Sequence, residues 1–308
     1  MLEILAPCGG ADSVCAALKY GADAVYLGVK KFSARQSRNF TFEELKEAIK
    51  KCHSFNVKVY LALNTLIFDN ELEQVAEILK EVTPDGFIIQ DLGVLRLIKD
   101  RYPDLPVHAS TQMSVTSVSG VKMAASLGFK RVVLARELSF KEISAITAVS
   151  PIETEVFVHG ALCVSLSGQC YMSAFFGGRS GNRGACAQPC RLPMKAGNLS
   201  HALSLKDMSL ISNIKELENI GVSAIKIEGR MKRPEYVAAA VNSCYIAREG
   251  GKADTKLLRA AFSRGADFTD GYYRDDYTNM SGIRSKKDKS AFNSFDINRL
   301  KQIREVEV

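Results

Sequence analysis

The sequence predicts an α/β protein built as a (β/α)8 barrel of the TIM type, with a long insertion after the seventh strand and a short C-terminal appendage. Residues 1–250 repeat a short apolar segment, a turn and an amphipathic segment eight times, which is the count of such a barrel. Glycines close several amphipathic segments, as the C′ glycine of a helix does. No GxGxxG motif follows the first strand, which argues against the commonest dinucleotide-binding form of the rival fold, a doubly wound open sheet.

The eight apolar segments are predicted as strands at Glu3–Pro7, Ala24–Gly28, Lys58–Asn64, Gly86–Asp91, Val107–Gln112, Arg131–Glu137, Glu153–His159 and Ala224–Gly229. The helices are expected at Asp12–Tyr20, Thr41–His53, Asn70–Val82, Val94–Asp100, Ser117–Leu127, Ser139–Ala148, Ser209–Ile220 and Pro234–Glu249. Thr41 and Glu44 have the spacing of a capping box, so we expect a helix to begin there. Gly21, Gly128 and Gly221 are expected to end three of the helices.

The strand–helix rhythm is interrupted once, at residues 160–208, which we interpret as an insertion within the barrel domain of residues 1–250. Loops of this length inside a compact domain are usually functional or disordered. Loops that follow barrel strands lie on the C-terminal face, where active sites occur. Residues 251–308 are turn-rich and then polar, with the run SKKDKS, and are expected to form a partly ordered C-terminal appendage.

The composition is that of an ordinary soluble globular protein, with 46% hydrophobic and 24% charged residues. This excludes a largely disordered chain and a coiled coil. No apolar run reaches the ~18–20 residues of a membrane span, and no basic segment precedes an apolar one at the N-terminus, so we expect a cytoplasmic protein with neither membrane nor signal peptide. The net charge of +7 is compatible with an anionic partner such as a phosphate, a carboxylate or RNA.

Polar residues occupy the strand faces that alternate with the apolar, helix-facing ones, and they concentrate towards the C-terminal ends of the strands. Some must be satisfied by one another within the core. Burying so many charged groups without a function would be costly, so we predict a polar pocket for a small anionic or hydrogen-bonding ligand. The strand candidates for its wall are Asn64, Gln90, His108, Gln112, Arg136, Glu137, His159, Lys226, Glu228 and Arg230.

Four of the eight cysteines cluster in the insertion, with the spacing Cys163-x6-Cys170-x15-Cys186-x3-Cys190. Clustered cysteines in a cytosolic chain more often bind metal or do chemistry than form disulfides. Structural zinc sites usually pair two short knuckles, and only the second pair fits, so the spacing favours an iron–sulfur cluster over zinc. Buried, inert thiols are the alternative. The remaining cysteines, Cys8, Cys15, Cys52 and Cys244, are predicted to be small core residues.

A nucleophilic site is a second interpretation of the same segment. His159 precedes Cys163 by four residues, and a Cys–His pair can act as nucleophile and base. The sequence contains neither GxSxG nor HExxH. The pair alone is a weak signal, because hydrolysis also needs an orienting group and an oxyanion hole.

Several long motifs resemble the collagenase-like peptidase family, peptidase family U32. The first is EVFVHGALCVSLSGQCYMS at Glu155–Ser173. Others follow the family's order and cover about residues 1–275: VYLGVKKFSARQSRNFT, ALNTLIFDNEL, HASTQMSV, VVLARELS, GGRSGNRGACAQPCR, IKIEGRMKRPEYVAAAV and FSRGADFTDGYY. The glycine-rich segment with Cys186 and Cys190 resembles most the branch involved in hydroxylating tRNA or ribosomal RNA.

The resemblance implies a four-iron four-sulfur cluster, an RNA partner, a protein partner of the same family, and prephenate as a co-substrate. It also implies Cys163, Cys170 and Cys186 as cluster ligands. Some relatives have a cysteine where this chain has Met208, which leaves Cys190 as the available fourth ligand. The chain is short for the family, and the small β-rich C-terminal domain of longer members is expected to be missing from it.

Three functional hypotheses follow. In the first, the chain is an iron–sulfur protein for RNA hydroxylation, with His159 and Glu228 catalytic. Cationic residues would then attract phosphates or a dicarboxylate, namely Arg35, Arg38, Arg136, Arg179, Arg183, Arg230 and Arg233. In the second, it is a peptidase that uses Cys163 with His159, or a metal-bound water. In the third, it is a non-enzymatic protein that binds a cluster and docks onto partners.

Overall fold

The computed structural model describes residues 1–34, 39–262, 267–282 and 299–306, and in it the predicted parallel strands close into a barrel. The barrel strands are β1 (Glu3–Pro7), β2 (Ala24–Gly28), β3 (Lys58–Leu63), β4 (Gly86–Ile89), β5 (Val107–Ala109), β6 (Arg131–Val133), β7 (Glu153–Ala161) and β9 (Ala224–Ile227). Each pairs in parallel with the next, and β9 pairs with both β7 and β1. The (β/α)8 prediction is therefore confirmed, and the open sheet is wrong because no edge remains in the barrel.

Helices occupy the predicted positions between the strands. They are α1 (Ala11–Tyr20), α2 (Phe42–Ser54), α3 (Leu72–Glu81), α4 (Leu92–Arg101), α5 (Val118–Ser126), α6 (Phe140–Val149), α8 (Ile214–Asn219) and α9 (Pro234–Arg248). The capping box is confirmed at α2: the Thr41 hydroxyl accepts from the Glu44 amide, and the Glu44 carboxylate accepts from the Thr41 amide at 2.8 Å. None of the helices in the described ranges has the length and hydropathy to span a bilayer.

Strands β4, β5 and β6 end two to four residues before their predicted ends, and this matters for the site. The polar residues that follow them belong to the loops at the mouth of the barrel. Ser110 caps a turn that begins at Thr111, and Asp91 caps α4 by accepting from the Gly93 and Val94 amides. Polar caps of this kind replace strand pairing as soon as the chain leaves the barrel.

The insertion is folded and packs over the mouth of the barrel. It contains the short helix α7 (Met172–Gly177) and several single turns, and it returns through a short strand, β8 (Asp207–Ser209). Strand β8 is antiparallel to the end of β7, with His159 opposite Ser209. Sequence periodicity missed β8, and it placed the start of the next helix too early, because residues 207–213 form this strand and a turn before α8 begins.

The described part of the C-terminal segment packs onto the barrel. Helix α10 (Thr255–Ala261) contacts α9, and β10 (Phe268–Thr269) pairs with β8 ahead of α11 (Gly271–Arg274). Residues 299–306 return to the barrel, where Arg304 donates to the Leu18 and Ala22 carbonyls. The SKKDKS run and part of FSRGADFTDGYY lie outside the described residues.

Candidate functional site

A cavity of about 750 Å³ opens at the C-terminal ends of the strands, between the barrel mouth and the insertion. Its floor includes Tyr26, Ile88 and Lys226 from the barrel interior, and its roof includes Met172 and Ser173 of α7. Of the residues selected from sequence, those lining it are Asn64, Gln112, Arg136, Glu137, Arg179, Lys226, Glu228, Arg230 and the four clustered cysteines. The fold therefore brings most of the predicted site together where TIM barrels place their active sites.

The cavity wall is strongly cationic. Its described carboxylates are Glu137 and Glu228, and its cations are Arg136, Arg179, Arg191, Lys226, Arg230 and Lys232. A concave surface with such an excess of positive charge focuses its field on an anionic ligand. The cavity therefore suits a carboxylate or phosphate better than a neutral molecule.

Arg136 and Glu228 form the central ion pair of the wall. Arg136 Nη2 lies 2.7 Å from Glu228 Oε2, and Arg136 Nη1 donates to the Ala161 carbonyl at 3.0 Å. The guanidinium also lies over the Phe157 ring, at 3.9 Å from its centroid. Strand alternation could not decide whether Arg136 or Glu137 points inward, and both line the cavity because each belongs to a loop rather than to β6.

Some polar atoms in the wall are buried and have no hydrogen-bond partner within the described ranges. They include Gln112 Oε1, Arg136 Nε, Glu137 Oε2 and Ser167 Oγ. The other carboxylate oxygen of Glu137 accepts from the Ser167 amide at 2.9 Å. Buried polar atoms are rarely left unsatisfied, so these atoms indicate room for a polar ligand or water.

A buried ion network holds the cavity floor. Glu155 is fully buried and contacts Lys226 Nζ at 2.8 Å and Arg131 Nη1 at 3.2 Å. Arg131 also pairs with Glu3 and Glu153. Burial lowers the pKa of Lys226, and Glu155 opposes that shift. The network therefore holds the Lys226 ammonium group against the Glu155 carboxylate, below the cavity.

All four cysteines of the insertion line this one cavity as thiols rather than disulfides. Backbone amides donate to two of the sulfurs, Met172 N to Cys170 Sγ at 3.4 Å and Gln188 N to Cys186 Sγ at 3.3 Å. The Cys186 sulfur also accepts from the Ser173 hydroxyl at 3.8 Å. Hydrogen bonds to sulfur stabilise thiolates and tune iron–sulfur centres. In donor type the four sulfurs suit a cluster.

The thiols are not drawn together as a metal-coordination shell. Among the described residues, no group of three or more His, Cys, Asp and Glu side chains is close enough to hold a metal ion. The Cys170 carbonyl oxygen and the Cys186 Cβ both lie close to Gly181. Binding a cluster would therefore require the four sulfurs to move closer together.

Comparison with known proteins decides the family. Residues 9–281 match the family model described as peptidase family U32. The chain belongs to peptidase family U32. A solved structure of a U32 peptidase superposes with a TM-score of 0.52 at 15% identity, over 74% of this chain and 94% of that one, and supports the barrel fold alone.

Curated relatives carry two kinds of name. The 23S rRNA 5-hydroxycytidine synthase of Escherichia coli is 39% identical over 77% of this chain and 37% of its own length. The tRNA hydroxylation protein P of Helicobacter pylori is 37% identical over 88% of this chain and 71% of its own length. A collagenase of Porphyromonas gingivalis is 33% identical over 88% of this chain and 73% of its own length. The chain thus spans little more than a third of the first relative and about seven tenths of the other two.

His159 is the main correction to the predicted site of this U32 protein. A bulge in β7 pairs Phe157 with Lys226 and then His159 with Ile227, so strict alternation fails and His159 turns out of the barrel. Its ring stacks on Tyr236 and meets Phe268, at centroid distances of 5.8 and 5.1 Å. Burial lowers the pKa of His159 to about 4. The structure therefore places His159 outside the cavity that Cys163 lines, against the expectation that it contributes to that site.

Four other predicted ligand-binding residues do not line the cavity, and one of them, Arg233, is exposed and lies 3.8 Å from Glu235. His108 is buried below it against Tyr60, with a ring-centroid distance of 4.6 Å, and burial lowers its pKa. Gln90 is largely buried beyond the end of β4 and does not line the cavity. Arg183 instead pairs with Glu71. Arg35 and Arg38 lie outside the described residues.

Arg183 fastens the insertion to the loop after β3. Its Nη2 lies 2.5 Å from Glu71 Oε1, and its Nη1 donates to the Leu66 carbonyl at 2.7 Å. The guanidinium also lies over Phe68, at 4.7 Å from the ring centroid. Arg183 therefore positions the cysteine segment and does not contact the ligand cavity.

Arg191 and Lys232 are wall residues that sequence reasoning missed. Arg191 is buried and donates to the Ser204 hydroxyl at 3.0 Å, and it also contacts the Leu162 and Leu205 carbonyls. Neither residue lies on a strand, so side-chain alternation gave no signal. The available clues were the position of Arg191 directly after Cys190 and the position of Lys232 within the basic segment GRMKRP.

The cysteines outside the insertion behave as predicted. Cys8, Cys15, Cys52 and Cys244 are buried, and burial raises the pKa of Cys52 and of Cys244 to about 12. A thiol with such a pKa stays protonated at neutral pH and does not act as a nucleophile. None of the four lines the cavity, and they therefore serve as controls for the cavity cysteines.

Proposed function

We propose that this U32 protein is a cytoplasmic iron–sulfur protein that takes part in hydroxylating tRNA or ribosomal RNA, with an anionic co-substrate of the prephenate type. The observation that carries the proposal is that four cysteine side chains line one cationic cavity at the C-terminal face of the barrel. The names of the similar RNA-hydroxylation proteins supply the reaction class.

Cys163, Cys170, Cys186 and Cys190 would hold the cluster. A bound iron–sulfur cluster would supply one-electron redox and Lewis-acid chemistry at the cavity. The chain's own contribution is to bind and orient. The Met172 and Gln188 amides donate to sulfur, and the Arg183–Glu71 pair keeps the glycine-rich segment against the barrel.

The cationic wall would bind the co-substrate. A dicarboxylate can be paired by guanidinium groups in fixed, planar geometry, and Arg136 and Arg230 are largely buried in the wall. Glu228 holds Arg136 and is positioned to accept a proton from a ligand that displaces this ion pair. Lys226 adds positive charge from the floor.

The peptidase hypothesis has less support. It needs a base near Cys163, and His159 faces Tyr236 and Phe268 outside the cavity. One similar protein is named a collagenase, so the activity is testable on gelatin. Under the proposal, purified protein leaves gelatin intact.

The test is nucleoside analysis by mass spectrometry of tRNA and ribosomal RNA from a strain lacking the gene. One hydroxylated nucleoside is expected to disappear, and the wild-type gene should restore it. Cys186→Ser should fail to restore it, because this change removes a cavity thiol. Cys15→Ala, which removes a thiol outside the cavity, should restore it fully. A complete set of hydroxylated nucleosides in the deletion strain contradicts the proposal.

A further inference from the structure

Three aromatic side chains stand in solvent at the rim of the cavity. Tyr171, Phe175 and Phe176 are 74%, 86% and 66% exposed, and they belong to α7 or directly precede it. The Phe175 and Phe176 rings meet edge to face at a centroid distance of 5.3 Å. Burying such rings removes apolar surface from water, which is favourable. A group of several exposed aromatic rings therefore needs an explanation.

The placement of these rings ties them to the cavity. Helix α7 begins two residues after Cys170, and its Met172 and Ser173 line the cavity roof. Arg179 follows the helix, lines the same cavity and donates to the Ala185 carbonyl at 3.1 Å. The aromatic rings therefore stand on the outer side of the segment whose inner side covers the cationic site.

We propose that Tyr171, Phe175 and Phe176 form a stacking platform for unpaired bases of the RNA substrate, beside the nucleotide that enters the cavity. The proposal rests on the proposed function and names how that substrate is held. Exposed rings next to a cationic groove are the combination that binds single strands, because bases stack on the rings while the phosphates meet the cations.

Charge complementarity favours RNA over a protein partner or a second copy of this chain. The adjoining wall carries six cations against two carboxylates within the described residues, and this surplus repels an identical surface. A folded duplex is a poor ligand for the platform, because its bases are already stacked on one another.

The test measures fluorescence anisotropy with a short labelled RNA of mixed sequence, first as a single strand and then annealed to its complement. Each of Tyr171→Ala, Phe175→Ala and Phe176→Ala is expected to weaken single-strand binding about fivefold or more, the loss of one stacked base. Binding to the duplex should be weak and unchanged. Phe175→Trp should retain binding, since it keeps a ring at that position.

Tyr102→Ala is the matched control, because Tyr102 is an exposed aromatic residue after α4, at the opposite end of the barrel. It should bind the single strand as the wild type does. Equal binding by the wild type and the three alanine variants overturns the platform, as does a wild type that binds no RNA. Two other results also overturn the platform. In one, the alanine variants bind RNA normally but lose binding to vesicles of anionic phospholipid; in the other, they bind RNA normally but change the oligomeric state.

The failure of the platform and the failure of the proposed function give different results. If the platform is wrong, the alanine variants bind RNA normally, while the deletion strain still lacks its hydroxylated nucleoside. If the proposed function is wrong, the nucleosides of the deletion strain are complete, whatever the binding assay shows.

Discussion

At the residue scale, two buried cations below the cavity share one carboxylate, and Arg131 has two further partners in Glu3 and Glu153. Glu155 is fully buried between Lys226 and Arg131, whose side chains are 5% and 4% exposed. Buried ions are tolerated only when they are paired, and removing one partner leaves the others uncompensated. Glu155 therefore stabilises the arrangement of charged side chains in the cavity floor.

We predict that Glu155→Gln destabilises the protein by about 3 kcal/mol, because the buried Lys226 loses its carboxylate partner and Arg131 loses one of its three. Urea denaturation measures this loss. Glu153→Gln is the matched control: Glu153 also contacts Arg131, at 2.6 Å, but its side chain is 54% exposed. Glu153→Gln should lower the free energy of unfolding by less than about 1 kcal/mol. Equal losses for the two variants would show that the buried pairing is not what matters.

Sequence reasoning found most of the residues of the site but not their individual roles. Asn64 and Glu228 directly follow β3 and β9 with the inward parity, whereas Gln112 and Arg230 reach the cavity from the loops beyond their strands. His159 has the inward parity too, and a bulge reverses it. No composition or spacing signal marks a bulge of one residue, so the error could be seen only in three dimensions.

At the element scale, the passage from β7 into the insertion is sterically tight. Gly160 has φ +122°, and a Cβ there would lie 2.7 Å from the Glu228 carbonyl oxygen and 2.9 Å from Glu228 Cβ. This close approach lets the end of β7 pass beside Glu228, which follows β9 and pairs with Arg136. A side chain at this position would move Glu228 away from the cavity wall.

We predict that Gly160→Ala costs about 3 kcal/mol, from the clash with Glu228 together with the unfavourable φ. Gly168→Ala separates these two causes, since Gly168 also has a positive φ, +78°, but no atom stands within 4 Å of an added Cβ. Its cost should be about 1 kcal/mol. Thermal unfolding of both variants gives the comparison, and a Gly160 variant as stable as the Gly168 variant would refute the steric argument.

The attachment of the insertion also belongs to this scale. Arg183 joins it to Glu71, and the pairing lowers the pKa of the Glu71 carboxyl. We predict that Arg183→Ala makes the insertion a preferred site of limited proteolysis, with about 1 kcal/mol lost from global stability. Arg96→Ala removes an exposed pair with Asp100 on α4 and should leave the digestion pattern unchanged. An Arg183→Ala insertion as resistant as the wild type would contradict this role.

At the scale of the whole molecule, the barrel was predictable and the insertion was not. The eight strands and their helices are set by local apolar periodicity, which sequence displays directly. The insertion is held by contacts between distant residues, such as Arg191 with Leu162 and Arg183 with Glu71. Its short strand β8 and the cavity beneath it follow from those contacts and not from any repeating pattern.

The architecture divides the work between these two parts. The barrel supplies the cationic floor and wall, while the insertion supplies all four cavity thiols and the exposed aromatic rings. The account stands on the claim that those thiols act together on one iron–sulfur cluster. The thiols lie around one cavity without forming a coordination shell by themselves, so the claim has a direct chemical test.

The most direct measurement is iron and acid-labile sulfide per chain in protein purified without oxygen, with its visible absorption. The account predicts about four of each in the wild type and in Cys15→Ala, and a large loss in Cys186→Ser. Protein that contains zinc or no metal, or a Cys186→Ser variant with the full iron content, would contradict it.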